Sequence, residues 1–208
     1  MDTLIERIQE MKKSTIKIEI ENRIMEFESF QNKDSNSWFS ELCFCILTAN
    51  SSAESGIKAQ KNITAEEFCN FTFEGLRERL KSIGYRFYNK RAEYIVKNQQ
   101  YCDNIKDNLL SLEDNNKRRE WLVSNVVGLG YKEASHFLRN VGYKDIAIID
   151  RHILNILYEN EYIKNKKINA KKYLEYENIL KEIARKCELD LAKLDLYLWY
   201  IKTKKILK

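Results

Sequence analysis

Residues 121–142 read WLVSNVVGLGYKEASHFLRNVG, and this stretch decides the fold. Apolar residues recur at helical spacing on both sides of Gly128-Leu129-Gly130, which predicts two helices joined by a tight turn. The glycines leave the backbone uncovered. N–H groups at the start of the second helix, at the positive end of its dipole, then form an anion site suited to a phosphate. By itself, this pattern is also that of a plain helical hairpin with glycine corners.

Lys132 and Asp150, both of which follow the turn in the chain, have side chains suited to catalysis. Lys132 falls in the first turn of the second helix, where the positive helix end disfavours an ammonium and so favours the neutral, nucleophilic amine. Asp150 lies 18 positions later, after the apolar run at 146–149 and before a helical pattern that begins at Arg151. Its position predicts an N-cap, which would hold the carboxylate rigidly and leave one oxygen for other contacts.

The combined pattern resembles the helix–hairpin–helix DNA glycosylase superfamily. The resemblance spans roughly 38–155 and includes the apolar helix and turn at 39–52 as well as the hairpin, Lys132 and Asp150. The run GYRFYNK at 84–90, the short chain and the lysine at its end resemble the archaeal-type 8-oxoguanine DNA glycosylase/AP lyase branch. Two features depart from patterns within the superfamily. Val126-Val127 replace the usual proline before the hairpin. Cys187 is the one cysteine after Asp150, so the iron–sulfur cluster of four cysteines that is usual in the endonuclease III branch is excluded.

The resemblance implies a bifunctional enzyme that excises 8-oxoguanine. Lys132 is implied as the nucleophile, and Asp150 as the group that stabilises charge on the sugar and assists proton transfer. A Schiff base on the lysine acidifies the next C–H and permits β-elimination, which nicks the strand. DNA contacts are expected from Gly128, Gly130, Arg86 and Phe87. Arg86 would hold a phosphate while Phe87 fills the space of the extruded base, although a core position for this aromatic residue is an equal alternative.

Base recognition is predicted at the C-terminal end of the chain. Asp195 and Trp199 are four residues apart and share one helical face. An indole can stack on a purine, and a carboxylate can accept from the N–H groups of guanine. Lys208 is added on the resemblance alone. Core packing for Trp199 and a frayed end for Lys208 are the competing interpretations.

Composition and spacing predict an all-α protein. Proline is absent and glycine occurs six times. Thr64 followed by Glu67 has capping-box spacing. Helical stripes recur along the 208 residues, for example Trp38, Leu42, Cys45 and Ile46, and later Leu191, Leu194, Leu198 and Ile201. Short strands are possible at Thr15–Ile20 and Ala147–Ile149. We expect two helical subdomains with the active-site cleft between them and the hairpin at the cleft. One subdomain is placed at about 32–135, and the other combines about 1–31 with 136–208.

Charge and cysteine content bear on the binding partners, the metal sites and the cellular location of the protein. The net charge is +5, and residues 160–208 hold thirteen Lys/Arg against seven Asp/Glu, which indicates either a solvated helical surface or a phosphate-facing wall. Five cysteines without framework spacing predict ordinary thiols, and neither a metal site nor a cofactor is expected. The start, MDTLIER, is charged and no apolar run could span a bilayer, so we expect an intracellular protein of the cytoplasm or nucleoid.

The expected partner is double-stranded DNA containing oxidised guanine, bound by a monomer. Three alternatives stay open. A related glycosylase for other oxidised bases would keep Lys132 and Asp150. A non-catalytic helix–hairpin–helix module would bind DNA without forming a covalent complex. A helical interaction protein with a basic face would lack salt-dependent affinity for DNA.

Overall fold

The computed structural model describes residues 3–208 and is built from α-helices, with no strand in that range, so the all-α prediction is confirmed. The first two residues of the charged N-terminal start lie outside the described part. No helix within 3–208 is both long and apolar enough to cross a membrane. The α-helices are α1 (Thr3–Met11), α2 (Ile16–Ser29), α3 (Ser35–Thr48), α4 (Ala53–Asn62), α5 (Ala65–Asn70), α6 (Phe73–Ser82), α7 (Tyr88–Asn98), α8 (Ile105–Leu110), α9 (Asn115–Asn125), α10 (Tyr131–Asn140), α11 (Arg151–Glu159), α12 (Ala170–Cys187) and α13 (Leu191–Thr203).

The strand predicted at Thr15–Ile20 is wrong, because most of this segment belongs to α2. Alternating isoleucines suggested a strand, yet the buried residues of α2 are Ile20, Ile24 and Phe27, which recur at helical spacing. Ile18 is 60% exposed, so the alternating pattern does not describe a buried face. The longer helical pattern therefore decides the conformation.

The strand predicted at Ala147–Ile149 is also wrong, since this buried segment is neither strand nor helix. Side chains of α12 take the place of a neighbouring strand. The Ala147 N–H donates to Glu177 Oε2 at 2.9 Å, and the Ala147 carbonyl accepts from Tyr173 Oη at 2.9 Å. The Ile149 N–H donates to the same hydroxyl at 3.1 Å. Buried backbone groups must be paired, and here side chains pair them.

The chain divides into two compact units. The hairpin unit is Phe30–Val141, and the terminal unit is the described part of Met1–Ser29 together with Gly142–Lys208. The two functional subdomains expected from the sequence, one at about 32–135 and the other combining about 1–31 with 136–208, stay a prediction, as does the cleft between them.

The hairpin unit is organised around α3. Trp38, Leu42, Cys45 and Ile46 are fully buried on this helix, as their spacing predicted. Helices α4, α5, α7, α8 and α10 pack against α3. A Cβ atom at Gly56 on α4 would lie 2.8 Å from Phe44 and Thr48, so a glycine is needed for the close approach of α3 and α4. Helices α9 and α10 pack against each other as the two arms of the hairpin, and α10 attaches the hairpin to α3.

The terminal unit joins the two ends of the chain. Helix α13 packs against α1, α2, α11 and α12, and α1 also packs against α12. Leu191, Leu194, Leu198 and Ile201 of α13 are buried, as the apolar stripe predicted. Helix α11 begins at this core and presents its first turn beside α13.

The prediction that every cysteine is an ordinary thiol is wrong. Cys69 of α5 and Cys102, just before α8, form a disulfide with their Cα atoms 5.8 Å apart. They are separated by 33 positions in the chain, so no local spacing could reveal the pairing. Cys43, Cys45 and Cys187 are free and buried. Burial, with Cys45 and Glu41 nearby, raises the pKa of the Cys43 thiol well above its usual value.

Candidate functional site

The predicted hairpin forms between α9 and α10. Gly128 has φ +92°, in the left-handed region that favours glycine. Gly130 is exposed and occupies the N-cap position of α10. No side chain caps the first turn of α10 from this position. A glycine at this position gives the helix N-terminus no side-chain cap from the N-cap residue, which is the arrangement of an anion site.

Lys132 lies in the first turn of α10. Its side chain is 27% exposed, and Nζ lies 3.6 Å from Glu133 Oε1. The carboxylate of Glu133 was not singled out from the sequence, although it is the next residue along the chain. It places a proton acceptor in ion-pair contact with the amine. The lysine thus combines partial burial, a helix N-terminus and an adjacent base.

Arg119 supports this first turn from α9 and was missed by sequence reasoning. Its guanidinium is 1% exposed and donates to Ser135 Oγ at 3.3 Å and to Asn116 Oδ1 at 2.9 Å. The same group lies 5.4 Å from the centre of the Tyr131 ring, which precedes Lys132. A buried arginine cannot be distinguished from a solvated one by sequence, because two of its partners, Ser135 and Tyr131, come from the second arm of the hairpin.

Asp150 is the N-cap of α11, as predicted. Its Oδ1 accepts from the N–H of His152 at 2.8 Å and from the N–H of Ile153 at 2.9 Å. Oδ2 has no hydrogen-bond partner within residues 3–208, and the residue is half-buried. One oxygen therefore fixes the carboxylate to the helix and the other is available for a further contact.

Trp199 contacts the first turn of α11, the helix capped by Asp150. Its ring meets the His152 ring edge-on, with centroids 5.1 Å apart. The indole Nε1 is buried without a hydrogen-bond partner in the described part of the chain. Asp195, one turn earlier on α13, lines a recess that also includes Ile153 of α11. The two base-recognition candidates of α13 are thus gathered beside the helix that Asp150 begins.

His152 was not predicted from the sequence. It follows Asp150 by two positions, and its N–H is one of the two groups that Asp150 caps. Its ring carries the contact to Trp199. The sequence did offer one signal for His152: the chain has only two histidines, and this one lies two positions after Asp150.

Arg86 and Phe87 lie directly before α7 in the hairpin unit. Phe87 is half-buried, and the exposed Arg86 guanidinium lies 4.9 Å from the centre of its ring. Arg91, within α7, approaches the same ring at 5.9 Å. The segment therefore presents an aromatic ring accompanied by cations at a surface turn.

The predicted residues are divided between the units. The hairpin unit holds Gly128, Gly130, Lys132, Arg86 and Phe87, and the terminal unit holds the remaining four. Lys208 lies half-buried at the end of the segment that follows α13. The structure therefore groups Asp150 with Trp199 and Asp195 around α11.

Comparison with known proteins identifies the family to which this chain is similar. Residues 20–189 match the family model described as 8-oxoguanine DNA glycosylase. The 8-oxoguanine DNA glycosylase/AP lyase of Methanocaldococcus jannaschii is 56% identical over 207 residues, covering 99% of both chains. The enzyme of the same name from Korarchaeum cryptofilum is 42% identical, covering 100% of this chain and 99% of the relative.

Solved structures give the same result. The M. jannaschii 8-oxoguanine glycosylase/lyase in complex with 15mer DNA containing 8-oxoguanine is 55% identical, with a TM-score of 0.96. The match covers 99% of this chain and 100% of that one. The 8-oxoguanine DNA glycosylase of Thermotoga maritima is 39% identical, with a TM-score of 0.92 and 99% of both chains covered. The family predicted from the hairpin pattern is confirmed.

Proposed function

This chain belongs to the 8-oxoguanine DNA glycosylase family, and we propose that it excises 8-oxoguanine from DNA and then cleaves the strand as an AP lyase. The observation that carries this function is the placement of the Lys132 amine in the first turn of α10, directly after a glycine turn that ends at the exposed Gly130. The hairpin binds the DNA backbone, so the amine is delivered to a sugar rather than to solvent.

Lys132 attacks C1′ of the damaged nucleoside as a neutral amine. The C1′–N bond breaks with its electron pair going to the base, which leaves after taking up a proton. The attacking nitrogen gives up one proton, and its lone pair then breaks the C1′–O4′ bond, so that O4′ leaves with that electron pair and takes up a proton. The nitrogen is now joined to C1′ as a protonated Schiff base of the opened sugar. Loss of a proton from C2′ then expels the 3′ phosphate by β-elimination. Glu133, 3.6 Å from Nζ, supplies an acceptor for a proton of the amine.

Asp150 acts at the sugar. Positive charge develops there as the glycosidic bond breaks, and a carboxylate held in place stabilises it without reorganising. The two amide hydrogen bonds to Oδ1 supply that rigidity, and Oδ2 is the oxygen that faces the sugar. The same oxygen assists proton transfer during elimination.

The damaged base is read by the C-terminal part of the terminal unit. Trp199 stacks on the extruded purine, Asp195 accepts from its N–H groups, and Lys208 adds a contact at the pocket. The support is that Trp199 and Asp195 both adjoin the first turns of α11. Phe87 fills the vacated space in the duplex while Arg86 holds a phosphate.

The substrate is double-stranded DNA, because an enzyme that inserts a side chain where a base was extruded needs the remaining stack. The protein acts as a monomer, since each element assigned above comes from one chain. A DNA-repair enzyme works where the DNA is, which favours the cytoplasm and nucleoid.

Borohydride trapping tests the nucleophile. Reduction of the Schiff base links the protein covalently to a duplex containing 8-oxoguanine. We expect the wild type to form this adduct and nick the strand, and Lys132→Gln to do neither. Glutamine preserves most of the side-chain length but has no nucleophilic amine. Lys117→Gln, on the other arm of the hairpin, is the control and should behave as wild type.

Nicking by Lys132→Gln at the wild-type rate would contradict the assignment. A panel of duplexes containing 8-oxoguanine or an oxidised pyrimidine tests the substrate in the same assay. Equal or faster trapping on the oxidised pyrimidine would instead indicate the related glycosylase activity.

A further inference from the structure

Asn98, the last residue of α7, reaches into the hairpin with its side chain. It is fully buried. Its Nδ2 donates to the Val127 carbonyl at 2.9 Å, and its Oδ1 accepts from the Val127 N–H at 2.9 Å. One amide group thus pairs both backbone polar groups of a residue that belongs to neither hairpin helix. The Val127 side chain is 38% exposed, so this surface position is held from the inside.

A second residue of α7 contacts the next position of the hairpin. Tyr94 lies one helical turn before Asn98, on the same face. A Cβ atom at Gly128 would come within 2.5 Å of Tyr94 Cδ2, which shows how closely the ring covers this glycine. Helix α7 therefore contacts two consecutive residues of the turn, Val127 through hydrogen bonds and Gly128 through packing.

The turn needs such support. It has five residues, 126–130, and two are glycines, which have the greatest backbone freedom. Its internal hydrogen bond, from the Leu129 N–H to the Val126 carbonyl, is long at 3.4 Å. The directions of the amides around Gly128 and Gly130 are thus weakly determined by the turn alone. An external constraint at Val127 sets the direction in which the chain enters the turn.

We propose that Asn98 is a positioning residue that orients the hairpin amides toward the DNA phosphate. The proposal rests on the proposed function, because it assumes that the hairpin binds the DNA backbone. Asn98 does not touch DNA; it acts through Val127. Its effect is therefore on affinity for the backbone, equally for damaged and undamaged duplexes, and not on the chemical step.

Asn98→Asp is the sharpest test. Aspartate has the shape of asparagine and can still accept from the Val127 N–H, but an ionised carboxylate cannot donate to the Val127 carbonyl. We expect Kd at about pH 8 to rise roughly tenfold for both duplexes, the size of a weakened phosphate contact at a helix N-terminus. The single-turnover rate at saturating enzyme should change by less than about twofold.

Lowering the pH should restore the DNA affinity of the Asn98→Asp variant. A protonated aspartate again carries one donor and one acceptor, and burial raises the pKa of a carboxyl group. The ratio of variant to wild-type Kd should therefore fall toward one near pH 5. On α7, hydrogen bonds from Lys97 and Lys90 hold the pKa of Glu93 at about 2, so Glu93 stays ionised throughout. The charged and titratable groups of the hairpin's second arm are Lys132, Glu133, His136 and Arg139. They are present in both proteins, and the ratio removes their contribution.

Asn125→Asp is the matched control. Asn125 ends α9 beside the hairpin, is exposed, and donates to the Trp121 carbonyl rather than to Val127. It introduces the same charge at the same end of the hairpin, but an exposed carboxylate is still largely ionised at about pH 5. Its Kd ratio should not fall toward one on acidification. An equal acid repair of both variants would overturn the proposal.

Hydrogen exchange on the wild type gives a test that needs no variant. The Val127 amide lies outside both helices at an exposed residue, yet it should exchange at least about a hundredfold slower than an unprotected amide. Rapid exchange would overturn the proposal. So would wild-type affinity of a folded Asn98→Asp protein at about pH 8. Borohydride trapping by the wild type reports the proposed function separately, so the two failures can be told apart.

Discussion

The hairpin unit and the terminal unit present their candidate residues in different ways. In the hairpin unit, the candidate phosphate-binding group is backbone, with Gly130 exposed, and buried polar side chains support the hairpin. In the terminal unit, the candidate groups are half-buried side chains, and backbone fixes one of them: two amides of α11 donate to Asp150.

This difference separates two kinds of recognition. Backbone amides at a helix start bind phosphate and cannot distinguish one base from another. Side chains such as Asp195 and Trp199 have donors, acceptors and ring faces that differ between bases. Changes in the hairpin unit should therefore alter affinity for any DNA, whereas changes around α11 should alter the rate and the lesion preference.

The largest effect is expected for Asp150→Asn. Asparagine also caps helices, so the thermal unfolding midpoint should be nearly unchanged. The charge proposed to stabilise the sugar is lost, and the single-turnover rate of base release should fall by about 10² to 10⁴. Asp190→Asn is the control, because Asp190 caps α13 in the same unit. A wild-type rate for Asp150→Asn would remove Asp150 from the mechanism.

Trp199→Leu should have the next largest effect. A stacked base contributes about 1–3 kcal/mol, so affinity for the 8-oxoguanine duplex should fall roughly 5- to 150-fold. Affinity for undamaged duplex should stay within about twofold, since backbone contacts are retained. Both are measured by fluorescence anisotropy. Trp121→Leu in the hairpin unit is the control. A parallel loss on both duplexes would mean that Trp199 supports the fold rather than reads the base.

The smallest effect concerns the lysine-rich segment that follows α11. Lys164, Lys167 and Lys171 are exposed and form no ion pair with an acidic side chain in the described structure. If they bind phosphates, replacing all three by glutamine should reduce the slope of log Kd against log salt by about 0.9 for each phosphate that is no longer neutralised. Lesion preference should not change. Titrations at several salt concentrations measure both quantities.

A control triple variant should replace Lys13, Lys17 and Lys186, which are exposed in the same unit. It changes the net charge equally. An equal change of slope in both variants would show that the segment contributes general charge rather than defined phosphate binding.

Much of the architecture was predictable because the sequence signals of a helix, its apolar stripe and its caps, involve residues only a few positions apart. The stripes on α3 and α13 are buried as their spacing indicated, and the capping box predicted at Thr64 and Glu67 is present on α5. The N-cap role of Asp150 followed from its position between an apolar run and a helical pattern. Two of the predictions that failed involve partners distant in sequence. Tyr173 and Glu177 pair the backbone at 147–149, and Cys102 pairs with Cys69.

By itself, the sequence determined the helical class, the glycine turn, the lysine that follows it and the family to which they point. These depend on neighbours a few positions apart, within the reach of helical periodicity and capping. Tertiary structure alone decided that Asn98 holds Val127, that Arg119 supports the first turn of α10, and that Trp199 meets His152. Those contacts join separate helices, and the identity of a buried polar partner depends on which helix faces it. A one-dimensional pattern does not contain that information.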